Sequence, residues 1–124
     1  MDMPNVLLEV IKHEGVASIV TVTNNEAHIV NTWNTYIRLK EERDFLIPVG
    51  GMGVTQEKLE ENNQVKIAFG SREVQGLRYM GTGFVVEGRG KIFEKGADYD
   101  YIKTQFNWAR AVLVIKPEKI TQTL

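Results

Sequence analysis

Hydrophobic residues along this chain fall into short runs rich in β-branched and aromatic residues, and this pattern predicts a mainly β protein. Turn-forming residues follow three of the runs: Asn24-Asn25, the charged segment 40–44 and Gly50-Gly51. We expect a loop over residues 71–80 and an end to the last strand at Pro117, because proline cannot donate to a β-ladder. The predicted strands are residues 16–23, 27–38, 45–49, 65–69, 81–93 and 108–115.

Helical spacing of apolar residues is confined to three short segments. The first begins at Pro4 and stops at Gly15, the second runs from the polar cap residue Thr55 to Asn62, and the third covers residues 98–107. Six strands with a few short helices favour an antiparallel barrel that is closed or nearly closed, since closure removes exposed sheet edges. The 124 residues show no internal repeat and no linker, so residues 1–124 are expected to form one domain.

Composition narrows the classes of function. The chain has 15 Lys and Arg against 16 Asp and Glu, and this balance argues against broad capture of nucleic acid. There is no cysteine, and His13 and His28 lack the spacing of zinc ligands, so thiol chemistry is excluded and a metal site has little support. No signal peptide and no apolar run of roughly 20 residues is recognisable, so we expect a cytoplasmic protein without membrane contact.

A polar and aromatic cluster, residues 31–36, lies near the end of the second predicted strand. Alternation along a strand would put Asn31, Trp33 and Thr35 on one face. Two interpretations stay open. Trp33 is a core residue behind a polar outer face, or it borders a flat ligand whose polar groups the amides bind. The residues that would share the opposite face are Thr32, Asn34 and Tyr36.

Residues 48–53 combine the end of a strand with three glycines, and Thr55 follows at a helix start. Glycines let a flat ligand approach the backbone closely, and a helix N-terminus favours an anion such as phosphate. Taken alone, this segment is equally well explained as a flexible turn. Beside an aromatic, amide-rich strand, it predicts a site for a planar, phosphorylated cofactor.

Common catalytic motifs are missing from the sequence, which has no phosphate loop, dinucleotide fingerprint or nucleophile elbow. Glu57, Glu60 and Glu61 lie on the second predicted helix, which indicates a solvated face. Trp108 is either a core residue or a second aromatic wall, and Arg72 and Arg78 are either surface charges or phosphate ligands. If the protein performs chemistry, we expect a bound cofactor to supply it.

A set of sequence blocks occurs in one order over nearly the whole chain: Glu14-Gly15-Val16, Asn31-Thr32-Trp33-Asn34, Pro48-Val49-Gly50-Gly51-Met52, Gly70-Ser71-Arg72, Gly81-Thr82-Gly83-Phe84, Trp108-Ala109-Arg110-Ala111 and Gln122-Thr123-Leu124. Together these blocks resemble the small FMN-binding proteins of sulfate-reducing bacteria. Those proteins belong to the flavin split-barrel group, which also includes pyridoxamine phosphate oxidase-like enzymes. The resemblance implies a six-stranded antiparallel split barrel, one FMN per subunit and a homodimer.

The same resemblance implies which residues meet FMN. Trp33 would lie against the isoalloxazine ring with Tyr36 nearby, and Trp108 would be a further aromatic neighbour. The backbone of Val49, Gly50 and Gly51 would meet the polar edge of the ring. Leu124 would reach the flavin of the partner subunit, and Glu14 matches an acidic position near the flavin. The complete set of implied cofactor-binding residues is Asn31, Thr32, Trp33, Asn34, Tyr36, Pro48, Val49, Gly50, Gly51, Met52, Thr55, Trp108 and Leu124.

One departure from the family pattern concerns the phosphate. The pattern has His-Lys-Thr where this chain has Gly53-Val54-Thr55, so the threonine is kept and the lysine is replaced by Val54. Backbone N–H groups, the helix dipole, Lys58 or Arg72 would then have to support the phosphate. A lost charge-assisted contact costs about 1.5–3 kcal/mol if nothing replaces it, so the sequence allows weaker FMN binding or a related flavin.

Three functions remain as hypotheses. The first is a redox flavoprotein that carries electrons between partner proteins that are still unknown. It is favoured because no acid–base residue is obviously placed over the ring. The second is a flavin reductase or oxidase that acts on a small substrate. The third is a flavin-binding protein without catalytic activity.

Overall fold

Seven antiparallel strands form one sheet that curls on itself, with three short helices packed against it. The structure is a computed structural model that describes residues 2–124. In chain order the elements are α1 (Asn5–Val10), β1 (Val16–Thr23), β2 (Glu26–Trp33), β3 (Arg38–Lys40), β4 (Asp44–Val49), α2 (Gly53–Glu61), β5 (Gln64–Gln75), β6 (Met80–Phe93), α3 (Ala97–Gln105) and β7 (Ala111–Gln122), with a 3₁₀ turn at Asn34–Tyr36.

The sheet order is β2-β1-β5-β6-β7-β4-β3, so β2 and β3 are its two edges. Only residues 34–37 connect these edges, which holds the end of β2 within about 18 Å of the start of β3. A sheet whose opposite edges approach in this way is an antiparallel split barrel, and the predicted fold class is confirmed. The number of strands is seven instead of six because the predicted strand 27–38 ends at Trp33, and residues 38–40, beyond the 3₁₀ turn, form a separate strand.

Asn34 interrupts that strand. Its backbone N–H donates to the carbonyl of Gly15 at 2.9 Å, and its side-chain Nδ2 donates to the carbonyl of Gly70 at 2.7 Å. The side chain is fully buried, and a Cβ at Gly15 would lie only 2.8 Å from Nδ2. The chain therefore leaves β2 at this residue and crosses to the other edge of the barrel.

The barrel interior is filled by aromatic and branched aliphatic side chains. Phe69 lies between Phe45 and Phe84, with ring centroids 6.2 and 6.3 Å away. Every residue of β4 is buried, because Ile102 of α3 and Phe106 just after this helix cover the outer face of the strand. Burial on both faces explains why residues 45–49 form a continuous apolar run without alternation.

Lys40 ties α3 to the edge strand β3. Its Nζ lies 3.0 Å from Asp98 Oδ1 in the first turn of the helix. The hydrogen bond to Asp98, with the negative charge of that carboxylate, raises the pKa of Lys40 above its ordinary value. This contact helps to hold α3 over β4 and thus over the outer half of the core.

The last strand does not end at Pro117, as the sequence predicts, but continues to Gln122. Gly88 pairs with Pro117 and Glu87 with Lys119, so the register shifts and Glu118 is an extra residue. A bulge of this kind accommodates a proline within a sheet. Gly88 has no space for a side chain there, because a Cβ would collide with the carbonyl of Lys116.

Other predicted boundaries were also wrong, and α1 ends at Val10, well before the predicted stop at Gly15. β5 continues to Gln75, so the predicted loop 71–80 is a short turn at residues 76–79, closed by the N–H of Gly76 donating to Tyr79. The last strand begins at Ala111 and not at Trp108, which lies in the preceding turn. α2 begins at Gly53, two residues before its predicted cap, and its N-cap is Met52, which has a left-handed backbone conformation (φ 60°).

The outer surface of β1 and β2 exposes apolar side chains. Val16 pairs with Trp33 and Val20 with Ile29 across the two strands. We call the outward-facing residues of β1 and β2 the outer β1–β2 face. Its exposed large hydrophobic residues are Val16, Val22, Ile29 and Trp33. Among residues 2–124, no helix has the length and apolar character needed to cross a membrane.

Candidate functional site

The loop at residues 50–52 joins β4 to α2 and contributes backbone N–H groups to the candidate site. In the described part of the chain, none of the N–H groups of residues 50–55 donates to a backbone carbonyl. Gly50 and Gly51 are exposed, and a Cβ at Gly51 would meet nothing within 4 Å. A run of free donors on an open backbone, ending at a helix N-terminus, suits the oxygen atoms of an anionic ligand.

Thr55 adds a polar side chain to the start of α2. Its side chain is completely buried in the first turn of α2, and its Oγ1 has no hydrogen-bond partner in the structure. The predicted capping bond is not made. A buried hydroxyl without a partner is costly, so a group that accepts its hydrogen bond would relieve this cost.

An aromatic wall stands beside the loop. A Cβ at Gly50 would lie 3.3 Å from Cζ3 of Trp108, so the indole packs directly on the backbone of this glycine. The ring of Tyr36 lies 5.6 Å from that of Trp108, and Phe106 lies 5.1 Å from Tyr36. Trp108 is about half exposed, and the structure therefore brings Tyr36, Gly50 and Trp108 together as the sequence predicts. The structure does not test whether these residues bind a cofactor.

The other predicted residues on β2 fall on two faces. Asn31 is exposed and its Oδ1 accepts from the Ser18 hydroxyl at 2.8 Å, while Trp33 is exposed on the same outer β1–β2 face. Thr32 is buried on the inner face, and Asn34 uses its amide in the bond to Gly70. Alternation thus holds up to Trp33 and fails beyond it. No cofactor contact of these residues is tested by the structure.

Pro48 and Val49 are buried within β4, and the carbonyl of Val49 already accepts from the N–H of Arg110. Met52 is partly buried and packs against the core. These placements agree with a cofactor that approaches the backbone of the loop and not its side chains, although contact with a cofactor at these positions stays a prediction.

Arg110, to which the sequence analysis assigns no role, holds the loop. Its Nη2 and Nε donate to the carbonyl of Gly51 at 2.6 and 3.1 Å. These residues are 59 positions apart in the chain, so local sequence patterns could not have revealed the contact. Only the correct pairing of β4 with β7 brings them together.

Leu124 lies away from the loop of its own chain. It lines an open cleft of about 930 Å³ together with Glu14, Arg72 and Tyr79. The carbonyl of Leu124 accepts from the N–H of Leu77 at 2.7 Å, which fixes the C-terminus to the β5–β6 turn. In a single chain, Leu124 therefore lies in this cleft, apart from the predicted site residues around the loop.

The two cations suggested for the phosphate have other surroundings. Lys58 donates from Nζ to the hydroxyl of Thr23 at 2.9 Å, and Arg72 lines the cleft near Leu124. Val54 is half exposed at the start of α2. Arg110 also contacts Gln56 in the first turns of the helix, at 2.9 Å.

These features define a split-barrel protein with an open glycine loop, bordered by aromatic rings and followed by a helix N-terminus. The family described as pyridoxamine 5′-phosphate oxidase matches residues 3–124. The FMN-binding protein of Nitratidesulfovibrio vulgaris (strain Miyazaki F) is 38% identical over 122 residues, which cover 98% of this chain and 99% of that protein. The chain therefore belongs to the pyridoxamine 5′-phosphate oxidase family, and the resemblance drawn from the sequence blocks is confirmed.

Solved structures share the fold at lower identity. A variant of HupZ from Group A Streptococcus superimposes with a TM-score of 0.80 at 24% identity, covering 98% of this chain and 99% of that chain. An FMN-binding protein from Syntrophomonas wolfei superimposes with a TM-score of 0.74 at 18% identity, covering 95% of this chain and 86% of that chain. At these identities the comparisons show the fold alone.

Proposed function

We propose that this chain binds FMN at the glycine loop and works as an electron carrier. The observation that carries the proposal is the buried, unpartnered hydroxyl of Thr55 beside the free N–H groups of residues 50–55. The name of the 38% identical relative, an FMN-binding protein, supports the choice of flavin.

Different residues bind different parts of the cofactor. Thr55 and the N–H groups at the start of α2 hold the phosphate, which the helix dipole also favours. The backbone of Gly50 and Gly51 donates to the polar edge of the ring, while Trp108 covers one side of it and limits access of water. When bound, FMN supplies the electron-accepting and electron-donating chemistry, and the chain tunes it with these donors.

Titration of the purified protein with FMN, followed by flavin fluorescence, tests this proposal. We expect saturable binding to the wild type. The variant Thr55→Val should weaken FMN binding by about tenfold, as expected for a lost hydrogen bond to a charged group. Riboflavin, which has the ring but no phosphate, should bind both proteins equally. The melting temperature of the cofactor-free protein should not fall, since the hydroxyl has no partner to lose.

A wild-type protein that purifies colourless and takes up no added FMN would refute the proposal. A Thr55→Val variant that loses riboflavin and FMN equally would instead move the phosphate away from this hydroxyl.

The cleft at the C-terminus supports a second candidate function. Its volume of about 930 Å³ and the charged side chains of Glu14 and Arg72 at its wall suit a small polar substrate. An oxidoreductase of this kind would oxidise NADH or NADPH in the presence of FMN. A carrier would leave these nucleotides unchanged while exchanging electrons with a protein partner, so stopped-flow reduction by NADH and NADPH separates the two functions.

We also propose a homodimer formed through the outer β1–β2 face. Several large apolar residues are exposed together there, and such a patch is unusual for a monomer. In that dimer, Leu124 of each chain would meet the flavin of the partner. Its 66% exposure and its distance from the loop of its own chain support this arrangement.

The variant Ile29→Asp should convert the dimer to a monomer, because an unpaired carboxylate buried in an apolar interface is strongly unfavourable. Ile29 is 61% exposed in the single chain, so the monomer itself should fold normally. Sedimentation velocity at micromolar concentration measures the change. Tyr101→Asp, at an exposed apolar position on α3, is the control and should remain dimeric. A wild type that sediments as a monomer would contradict the dimer directly.

A further inference from the structure

Arg110 is placed to control the shape of the glycine loop. Two of its nitrogen atoms, Nη2 and Nε, converge on the carbonyl oxygen of Gly51 at 2.6 and 3.1 Å. The backbone N–H of Arg110 also donates to the carbonyl of Val49 at 2.8 Å, which extends the pairing of β4 and β7 up to the loop. Arg110 is thereby bound to the loop through both its backbone and its side chain.

Two further side chains keep the guanidinium in place. Gln56 of α2 accepts from Nη2 at 2.9 Å and donates to Glu94 at 3.3 Å. Glu94, which follows β6, lies 3.5 Å from Nη1. Arg110, just before β7, Gln56 in α2 and Glu94, just after β6, thus form a closed network around one loop carbonyl.

The hydrogen bonds from Arg110 to the carbonyl of Gly51 fix the direction of the adjacent N–H group of Met52. The carbonyl of Gly51 and the N–H of Met52 belong to one planar trans peptide, so they point in opposite directions. With the carbonyl on Arg110, the N–H of Met52 points away from the guanidinium. Met52 also has φ 60°, a left-handed conformation that a non-glycine residue keeps only when its surroundings impose it.

We propose that Arg110 is the positioning residue of the flavin loop. It clamps the Gly51 carbonyl, holds Met52 in the left-handed conformation and so presents the loop N–H groups to the flavin ring. This inference rests on the proposed function for the identity of the ligand. It gives Arg110 a role in shaping the loop and no direct contact with the phosphate.

The variant Arg110→Gln tests the clamp, with Arg110→Lys as the conservative variant. Glutamine removes the charge and the two-atom fork, and FMN affinity should fall about tenfold or more. Lysine keeps the charge but offers a single ammonium group. The FMN affinity of Arg110→Lys should therefore lie between those of Arg110→Gln and the wild type. Arg89→Gln is the matched control, because Arg89 also bridges two side chains, Glu118 and Asn63, but lies away from the loop.

Comparison of FMN with riboflavin separates positioning from direct charge. A misshapen loop should weaken both ligands by a similar factor, because both carry the ring that the loop contacts. A loss confined to FMN would mean that Arg110 acts on the phosphate, and would overturn the proposal. Equal affinity of Arg110→Gln and wild type for both ligands would also overturn it.

The cofactor-free protein gives an independent measurement. In ¹H–¹⁵N spectra, the amide signals of Gly51 and Met52 should move in Arg110→Gln and stay in place in Arg89→Gln. Unchanged signals in Arg110→Gln would refute the clamp even if flavin binds. If the wild type binds no flavin while these signals do move, the clamp on the loop stands and the proposed function fails.

Discussion

Gly50→Val is expected to raise the Kd for FMN about a hundredfold while leaving the protein folded. A Cβ at Gly50 already lies 3.3 Å from the Trp108 indole, and the two further methyl groups of valine would displace the indole and occupy the surface offered to the ring. Forced overpacking of this kind costs about 1–3 kcal/mol, most of it borne by the complex. The half-exposed Trp108 can move in the free protein, so thermal unfolding should change little.

Fluorescence titration with FMN measures this effect, and two variants serve as controls. Gly50→Ala should give an intermediate affinity, because its methyl group requires a shift of only a few tenths of an ångström. Gly53→Ala adds a methyl group where nothing lies within 4 Å and should bind FMN nearly as the wild type does. Normal FMN affinity in folded Gly50→Val would show that the ring lies elsewhere.

Val54→Lys is expected to lower the Kd for FMN by about tenfold or more. Position 54 is the one at which the family pattern has a lysine, and its side chain is half exposed at the start of α2. A lysine there could reach the phosphate without disturbing the core. The gain corresponds to a hydrogen bond to a charged group, about 1.5–3 kcal/mol before screening by salt.

Binding of FMN and riboflavin at low and high salt provides the measurement for Val54→Lys. The gain should apply to FMN alone and shrink as salt increases. Val54→Gln, of similar length and without charge, should give a much smaller gain. Equal tightening of riboflavin, or no tightening of FMN, would place the phosphate away from the start of α2.

The strands were largely predictable because their local composition agrees with the final fold. Residues 16–23 were predicted with the observed bounds, and the buried run at 45–49 is observed as β4 with one added residue. Failures occurred where distant residues decide. Asn34 ends β2 through bonds to Gly15 and Gly70, and Pro117 remains in β7 because Gly88 faces a bulge. These contacts of Asn34 and Pro117 involve residues far away in the sequence, so neighbouring residues do not reveal them.

The site shows the same division. The association of glycine and aromatic residues followed from composition and from the family blocks, and the structure does place Trp108 on Gly50. The grip of Arg110 on Gly51 was not predictable, because it requires the β4–β7 pairing. The missing partner of the Thr55 hydroxyl was equally hidden, since burial of a side chain depends on the packing of α2 against the barrel.

The dependence of the loop on β7 has a consequence for synthesis of the protein. The residues that hold and cover the loop, Trp108 and Arg110, are followed immediately by β7, which pairs with β4 more than 60 positions earlier in the chain. A ribosome releases the N-terminal part of the chain first. A nascent chain that has exposed residues 50–55 but not yet β7 therefore lacks a shaped loop, and the loop takes its final form only after β7 has been made.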